Sequence, residues 1–153
     1  MSEAGEVLHA AVRAAGWRQV DESEFRRIVG PLWSRQEGDL LAYALLAEER
    51  HRNTFGVVHG GILMALADHT LGITAWAANG YRSQATVQFD MQLIAGAEPG
   101  DLIEVRPEIM RMTRSIIFMR GTMTVGERLV ASINGVWKIR GGRPAEAGTG
   151  AAG

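Results

Sequence analysis

The sequence predicts an α+β fold in which a curved antiparallel sheet of about six strands wraps around one long helix. The segment 60–78 is apolar on nearly all sides and contains a single carboxylate, Asp68. Strand-like segments precede and follow this helix, and short turns join those that follow. A helix that is apolar all round needs cover on most sides, which a curved sheet provides. Such a sheet leaves open edges, and an edge-to-edge dimer would protect one of them.

The composition is that of an ordinary globular domain, with 153 residues, 46% hydrophobic and 22% charged residues, and a formal net charge of −1. This balance argues against nucleic-acid or membrane-surface binding driven by bulk charge. The absence of cysteine excludes disulfides, thiolate nucleophiles and cysteine-based metal sites. Polar residues from Asp68 to Thr74 argue against a membrane span in the apolar segment. No secretory signal pattern opens the chain, so a cytoplasmic protein is expected.

Three parts of the chain differ in pattern. Residues 1–29 are predicted to form a helical N-terminal extension, because apolar side chains recur at helical spacing from Val7 to Val12. Residues 30–140 are predicted to form the main domain. Residues 141–153 are rich in Gly and Ala and lack an apolar pattern, which predicts a disordered tail.

Six segments have strand character, and they cover residues 31–36, 40–46, 84–94, 102–112, 115–125 and 128–139. The first two form a hairpin before the helix. The last four are joined by short turns, so they are expected to be consecutive antiparallel neighbours. Pro107 indicates an edge or a bulge. Alternation in segment 84–94 predicts Val87 and Phe89 on one face, and Thr86 and Gln88 on the other.

Two glycines, Gly60 and Gly61, stand at the predicted start of the helix. Backbone N–H groups at a helix start are unpaired and lie at the positive end of the helix dipole. Glycine lets a ligand approach that backbone closely, so a carbonyl oxygen placed there would be polarised as in an oxyanion hole. A plain glycine-rich loop before a helix is the alternative interpretation.

Asp68 follows Gly61 by two helical turns. A carboxylate desolvated by apolar surroundings binds a proton more readily, which suits a general base, whereas a structural Asp bonded to a neighbour is the alternative. His59 is interpreted mainly as shaping the turn beside the glycines. His69 points about 100° away from Asp68 around the helix. No pair of histidines at helical spacing has a third ligand nearby, so no metal site is predicted.

The pattern Asn-x-x-Gly-x-x-His-Gly-Gly at residues 53–61, followed by Asp68, resembles the hotdog-fold acyl-CoA thioesterases, in the phenylacetyl-CoA/4-hydroxybenzoyl-CoA thioesterase-like branch. The similarity covers residues 30–139. It implies hydrolysis of an aryl- or acyl-CoA thioester to CoA and the free acid, with no cofactor, since CoA is part of the substrate. It also implies a homodimer with active sites at the interface and dimers that often pair into tetramers.

The resemblance implies a role for each of five catalytic candidates. Asp68 is the expected base or nucleophile, and the Gly61 N–H is expected to polarise the thioester carbonyl. Asn53 and His59 match residues that line and shape the site. Thr86 falls where some members have a Ser that positions the water. In this family the Asp and the glycine come from opposite subunits, so Asp68 is expected to serve the Gly61 of a partner.

The resemblance also implies contacts with the CoA part of the substrate. The predicted substrate-binding residues are Gly60, Arg111, Arg114 and Ser115. The last three lie between two strands, where related proteins have a basic segment near the nucleotide of CoA. A solvated turn is the alternative interpretation of this segment. Arg82 and Arg128 are further phosphate candidates with weaker support.

An apolar tunnel is expected to hold the acyl group, with walls from Met64, Leu71, Trp76, Phe89 and Met91, although core packing is the default interpretation of each. The alternative function is a non-catalytic hotdog module that binds or senses acyl-CoA. Asp68 argues against it, because a pure binder gains little from a carboxylate near an anionic ligand. A hotdog enoyl-CoA hydratase is disfavoured, because the expected Asp-x-x-x-x-His dyad does not precede the helix.

Overall fold

The structure is a computed structural model that describes residues 3–20 and 24–141. The described helices are α1 (Glu3–Ala14), α2 (Glu24–Val29) and α3 (Gly60–Ala78), and a 3-10 turn covers Glu49–His51. The strands are β1 (Arg18–Gln19), β2 (Leu32–Glu37), β3 (Leu40–Leu46), β4 (Gln84–Leu93), β5 (Leu102–Met112), β6 (Ile116–Val125) and β7 (Arg128–Ile139). The predicted helical extension is therefore helical where it is described, but it also adds the short strand β1. The predicted disordered tail lies, from residue 142 onward, outside the described residues.

One antiparallel sheet holds all seven described strands in the order β1-β2-β3-β5-β6-β7-β4. The expectation that the last four strands are consecutive neighbours is wrong for β4, which pairs with β7 and not with β5. The eight residues from 94 to 101 reach about 26 Å when extended. Three strand spacings are only about 14 Å, so this short connection crosses the ends of two strands.

The helix α3 lies on the concave face of the sheet, as predicted. One side of it is buried against the sheet through Leu63, Leu66, Ala67, Thr70, Leu71 and Ala75. The opposite side is not covered within one chain, and Met64 there is 44% exposed. Asn79 ends the helix and is followed by Gly80 with φ of 75°, a left-handed conformation that glycine adopts without strain. Among the described residues no helix is long and apolar enough to cross a membrane.

Of the N-terminal extension, α1 packs on the outer face of the sheet, whereas α2 lies against α3. A second apolar cluster forms there from Val12, Trp17, Trp33, Ala42, Ala44 and Leu46. The guanidinium of Arg35 lies 4.3 Å from the centre of the Trp17 ring, which adds a cation–π contact. Helix α1 therefore covers β2 and β3 on the side away from α3.

Two irregularities change the direction of side chains along the sheet. In β4 a bulge separates Thr86 from Gln88, and Val87 at the bulge is exposed. The simple alternation predicted for this strand is therefore wrong before the bulge, where Thr86 turns toward α3 and not away from it. Pro107 lies beyond the part of β5 that pairs with β3, so β5 has β6 alone as a paired neighbour at this residue. Its predicted edge position is therefore confirmed.

Candidate active site

Asp68 and Thr86 form the centre of the site. The Thr86 hydroxyl donates a hydrogen bond to Oδ1 of Asp68 at 2.9 Å, and this bond joins the middle of α3 to β4. Asp68 is half-buried, so one chain alone does not supply the fully apolar surroundings predicted for it. The bond limits the rotamers of the carboxylate and leaves its second oxygen available to a ligand.

A cavity of about 340 Å³ opens beside this pair. Its helix side includes Asp68, Gly72 and Trp76, and its strand side includes Gln84, Thr86 and Trp137. His69 also lines it, although it is one residue further along the helix than Asp68. The space is large enough for a small organic group, and Asp68 stands in its wall.

The helix start has a different arrangement from the predicted one. The Gly61 N–H, predicted to polarise a carbonyl, donates instead to Nδ1 of His59 at 2.9 Å. His59 is the N-cap residue of α3, and both glycines lie inside its first turn. The interpretation of His59 as a residue that shapes the turn is therefore supported. A ligand carbonyl reaches the Gly61 N–H only when the His59 ring turns away.

Asn53 closes the loop before the helix. Its Oδ1 accepts hydrogen bonds from the backbone N–H groups of Phe55 at 2.8 Å and Val57 at 3.3 Å. This use of the side chain is an Asx-type turn that holds the loop in shape. Phe55 at the loop tip is 90% exposed. The side-chain oxygen of Asn53 is thus already engaged within the loop that leads to His59.

His51 connects the same loop to the helix start, and the sequence analysis did not single it out. The residue is buried, its Nδ1 accepts from the Glu48 N–H at 3.0 Å, and its carbonyl accepts from the His59 N–H at 2.8 Å. Burial lowers the pKa of His51, and Arg50 adds to this shift, while the Val29 backbone and Glu48 oppose it. A neutral His51 therefore supports the loop. No spacing in the sequence distinguishes it from a solvated loop histidine.

The predicted catalytic residues fall into two groups within one chain. Asp68 and Thr86 are in contact, whereas Gly61 lies seven residues before Asp68, about 10 Å away along the helix axis. A single thioester carbon cannot contact both groups at that distance. The structure therefore does not bring the predicted carbonyl donor and the carboxylate of the same chain together.

The arginines predicted to contact phosphate also fall into two groups. Arg111 and Arg114 are exposed and have no hydrogen bond or ion pair with the part of the chain that the structure describes. Arg82 instead donates to the Asn79 carbonyl, and Arg128 is bonded to the Gly96 carbonyl and to Asp101. Of these four arginines, Arg111 at the end of β5 and Arg114 in the β5–β6 turn are thus the two left available for a ligand.

The β5–β6 turn lies near the cavity. The backbone N–H of Ile139 in β7 donates to the Ser115 carbonyl at 2.8 Å, and Ile139 is paired with Gln84 of β4. Gln84 lines the cavity beside Thr86. Thr113 holds the turn, because its hydroxyl accepts from the Ile116 N–H at 2.9 Å.

The predicted tunnel walls are only partly correct. Trp76 lines the cavity, whereas Leu71 is buried on the opposite side of α3 in the core. Phe89 and Met91 are half-buried against that core and do not line the cavity. Trp137 also lines the cavity, and its place there depends on the pairing of β7 with β4. In the described residues no group of three or more His, Cys, Asp or Glu is arranged to hold a metal ion.

The sequence is similar to the sequences of known proteins. The model of the Thioesterase superfamily matches residues 55–132, which include the loop, α3, β4, β5, β6 and the start of β7. The Pseudomonas aeruginosa protein named "Putative esterase PA0474" is 33% identical over 114 residues, which are 73% of this chain and 85% of that protein. The chain belongs to the Thioesterase superfamily. The superfamily model thus covers the segments that carry the Asp68–Thr86 pair and the helix start.

Solved structures agree with this membership. The conserved protein PA5202 from Pseudomonas aeruginosa has a TM-score of 0.71 and 25% identity, over 78% of this chain and 95% of that chain. A hypothetical thioesterase with coenzyme A from Streptococcus pneumoniae has a TM-score of 0.65 and 16% identity, over 90% of this chain and 98% of that chain. At such identity the second likeness concerns the fold alone. The helix wrapped by an antiparallel sheet is thus the hotdog fold.

Proposed function

We propose that this protein hydrolyses an acyl-CoA or aryl-CoA thioester to CoA and a carboxylic acid. The observation that carries the proposal is the Asp68 carboxylate, held by the Thr86 hydroxyl at 2.9 Å in the wall of a cavity of about 340 Å³. Membership of the Thioesterase superfamily supports a hydrolase of this type. The coenzyme A in the Streptococcus pneumoniae structure suggests CoA as the thiol part of the substrate. A carboxylate of restricted orientation beside space for an acyl group suits this reaction.

The proposed reaction needs no cofactor. Asp68 takes a proton from a water molecule, whose oxygen forms a bond to the thioester carbonyl carbon. The carbon–sulfur bond then breaks, the CoA thiolate leaves and takes up a proton, and the acyl group is released as the acid. Direct attack by the Asp68 carboxylate, through an anhydride that water opens, gives the same balance and is the alternative role of this residue.

A second copy of the chain completes the site in this proposal. Gly61 lies about 10 Å from Asp68 within one chain, so the carbonyl donor has to come from another subunit. The uncovered side of α3, with Met64 44% exposed, is an apolar surface that a second α3 can cover. The long edge strand β4, with Val87 57% exposed, is a second surface that association can protect. Pairing of two such dimers into a tetramer belongs to the same proposal.

The CoA phosphates are assigned in this proposal to the β5–β6 turn. Arg111 and Arg114 are exposed there without a partner in the described chain, and guanidinium groups bind phosphate well. Ser115 follows Arg114 directly in the chain. Its carbonyl accepts a hydrogen bond from β7, which borders the cavity. The cytoplasmic location predicted from the sequence stays a prediction.

The test compares hydrolysis of a panel of aryl-CoA and fatty acyl-CoA thioesters by the wild type, Asp68→Asn and Asp90→Asn. Asp90 is an exposed carboxylate of the same strand as Thr86 and serves as the matched control. We expect Asp68→Asn to lose at least about 100-fold in kcat, because it removes the base or nucleophile, and Asp90→Asn to stay near the wild type. Full activity of Asp68→Asn would overturn the mechanism. Tight binding of CoA thioesters without turnover would instead support the acyl-CoA sensor.

A further inference from the structure

The indole of Trp137 lies deep in the cavity wall. Trp137 belongs to β7, is 2% exposed, and is paired across the sheet with Thr86. It lines the same cavity as Asp68. A tryptophan carries one hydrogen-bond donor, its Nε1–H, and that donor usually finds a partner when the side chain is buried.

Two glycines determine how the indole lies. A β-carbon at Gly135 would be 2.5 Å from Cζ3 and 2.7 Å from Cη2 of Trp137, so the six-membered ring lies across the bare backbone of Gly135. On the helix side, a β-carbon at Gly72 would be 3.5 Å from Nε1. The N–H edge of the ring therefore points toward Gly72, which lines the cavity.

The N–H of Trp137 has no hydrogen-bond partner among the residues that the structure describes. Gln84, the polar side chain beside Gly72, is already engaged. Gln84 Nε2 donates to the Gly72 carbonyl at 2.8 Å, and Gln84 Oε1 accepts from Asn79 Nδ2 at 2.8 Å. The cavity leaves this donor accessible to water, and a ligand that fills the cavity without an acceptor at this point would leave the donor unpaired.

Trp33 shows what distinguishes Trp137. The Nε1 of Trp33 is fully buried without a partner in the outer cluster under α1, whereas the Nε1 of Trp137 is not among the buried unpaired atoms. No ligand reaches it there. The N–H of Trp137 differs because it stands at a cavity that also contains the proposed catalytic carboxylate.

The position of this donor relative to Asp68 suggests what it binds. Gly72 follows Asp68 by four residues on α3, so the N–H edge of Trp137 lies one helical turn, about 6 Å, beyond the carboxylate. The cavity continues in this direction as far as Trp76, so it leaves room there for an acyl group whose carbonyl carbon is at Asp68. We propose that the Trp137 N–H donates a hydrogen bond to an oxygen atom of the acyl group, about one helical turn from the thioester carbonyl.

This inference rests on the proposed thioester hydrolysis and names a substrate class for it. The preferred acyl groups carry an ether, hydroxyl or carbonyl oxygen at that distance. A purely hydrocarbon acyl group of the same shape leaves the N–H of Trp137 unpaired and is a poorer substrate. Trp137 is thus a specificity-determining residue, and Gly72 leaves the space through which its donor is reached.

The experiment uses pairs of CoA thioesters that match in shape and differ in one oxygen. These are 4-methoxybenzoyl-CoA with 4-ethylbenzoyl-CoA, 3-methoxybenzoyl-CoA with 3-ethylbenzoyl-CoA, and 5-oxohexanoyl-CoA with 5-methylhexanoyl-CoA. We expect the wild type to favour the oxygen-containing member of at least one pair by about five- to tenfold in kcat/KM, which is the usual worth of a neutral hydrogen bond. Trp137→Phe keeps a ring but removes the donor, and the ratio falls to about one.

Two further variants keep this test independent of folding. Gly72→Ala places a methyl group at contact distance from Nε1, covers the donor without removing the indole, and lowers the same ratio. Trp33→Phe removes an indole N–H that lies in the outer cluster and not at the cavity, and leaves the ratio unchanged. A merely structural role of Trp137 would lower both members of a pair equally. An unchanged ratio in Trp137→Phe, or no preference in the wild type, overturns the inference.

Failure of the proposed function gives a different result. If the wild type hydrolyses none of the thioesters, thioester hydrolysis is wrong, and binding of the free acids by calorimetry then tests Trp137 alone. We expect 4-methoxybenzoate to bind the wild type about five- to tenfold more tightly than 4-ethylbenzoate, and Trp137→Phe to bind both equally. Equal binding of the two acids by the wild type would overturn the inference.

Discussion

The hydroxyl of Thr86 donates to Oδ1 of Asp68 across 2.9 Å and joins residues eighteen positions apart in the chain. This contact exists because the bulge after Thr86 reverses the alternation of β4, so that Thr86 before the bulge and Phe89 after it both face α3. Without the bulge, a residue three positions before Phe89 would face the other side of the sheet.

Removal of the Thr86 hydroxyl is expected to slow hydrolysis. Thr86→Val keeps the shape of the side chain but frees the Asp68 carboxylate to rotate, so we expect kcat to fall about tenfold or more, with little change in thermal stability. Thr86→Ser restores the donor and most of the activity. Steady-state kinetics with one good thioester measures both variants, and a fully active Thr86→Val would show that the contact does not position Asp68.

Mixed dimers test whether Asp68 and Gly61 act from opposite subunits. Gly61→Pro removes the proposed carbonyl donor within the first helical turn, where the backbone accepts proline once the His59 ring moves aside. Asp68→Asn and Gly61→Pro chains are each expected to be inactive alone. Their equal mixture forms about half heterodimers, each with one intact site, so about a quarter of wild-type activity returns after subunit exchange.

Two results would contradict this arrangement. If both residues of a site came from one chain, every site in the mixture would contain a substitution, and no activity would return. A wild-type protein that light scattering shows to be a monomer at micromolar concentration would exclude a shared site altogether.

His59 is expected to contribute mainly to stability through its cap on α3. His59→Ala removes the acceptor of the Gly61 N–H and lowers the free energy of unfolding by about 1 kcal/mol. His59→Asn supplies another good N-cap acceptor and recovers most of that loss. Urea unfolding compares the three proteins, and both variants keep measurable hydrolysis. A loss of activity as large as that of Asp68→Asn would instead place His59 in the chemistry.

Arg111 and Arg114 are expected to affect binding of the CoA nucleotide. The double variant to Ala removes two exposed guanidinium groups, so we expect KM for a CoA thioester to rise about tenfold, with a smaller effect at high salt. The same acyl group on pantetheine, which lacks the nucleotide, shows no such change. Arg120→Ala is the matched control, because Arg120 is exposed but paired with Glu108. An equal rise in KM for both thioesters would show that the β5–β6 turn does not bind the CoA nucleotide.

Acidification is expected to destabilise the loop that carries Asn53, because His51 in this loop takes up a proton. Burial lowers the pKa of His51 in the folded state below the ordinary histidine value of about 6.5. The stability that depends on the neutral ring is therefore present above about pH 6.5 and is lost as the pH falls through the lower, folded-state pKa. Protonation of Nδ1 would also break its bond with the Glu48 N–H.

Urea unfolding at pH 8 and pH 5.5 measures this effect. The wild type is expected to lose more stability on acidification than His51→Gln, which cannot take up this proton. His59, whose Nδ1 also accepts a backbone N–H, is unchanged in both proteins, so its contribution cancels in the comparison. Equal pH dependence of the wild type and His51→Gln would show that His51 is not the responsible group.

Much of the fold could be predicted from local pattern. The apolar run predicted α3 with the bounds Gly60–Ala78 that the structure has, and period-two alternation located the later strands to within a residue or two. The catalytic candidates came from a motif of nine residues and one carboxylate beyond it. The strand order was wrong for β4, because a short connection does not by itself decide which strands pair.

The sequence by itself therefore determined the bounds of α3 and of most strands, the identity of Asp68 as the carboxylate of the central helix and, through a family resemblance, the hotdog fold. Only the tertiary structure decided that Thr86 faces Asp68, that the Gly61 N–H is bonded to His59, and that the Trp137 indole borders the cavity. The physical reason is the separation in the chain of the residues that decide each feature. Periodicity reports which residues of one element share a face, whereas a bulge, a cap or a cavity wall depends on pairing and packing between elements distant in the chain.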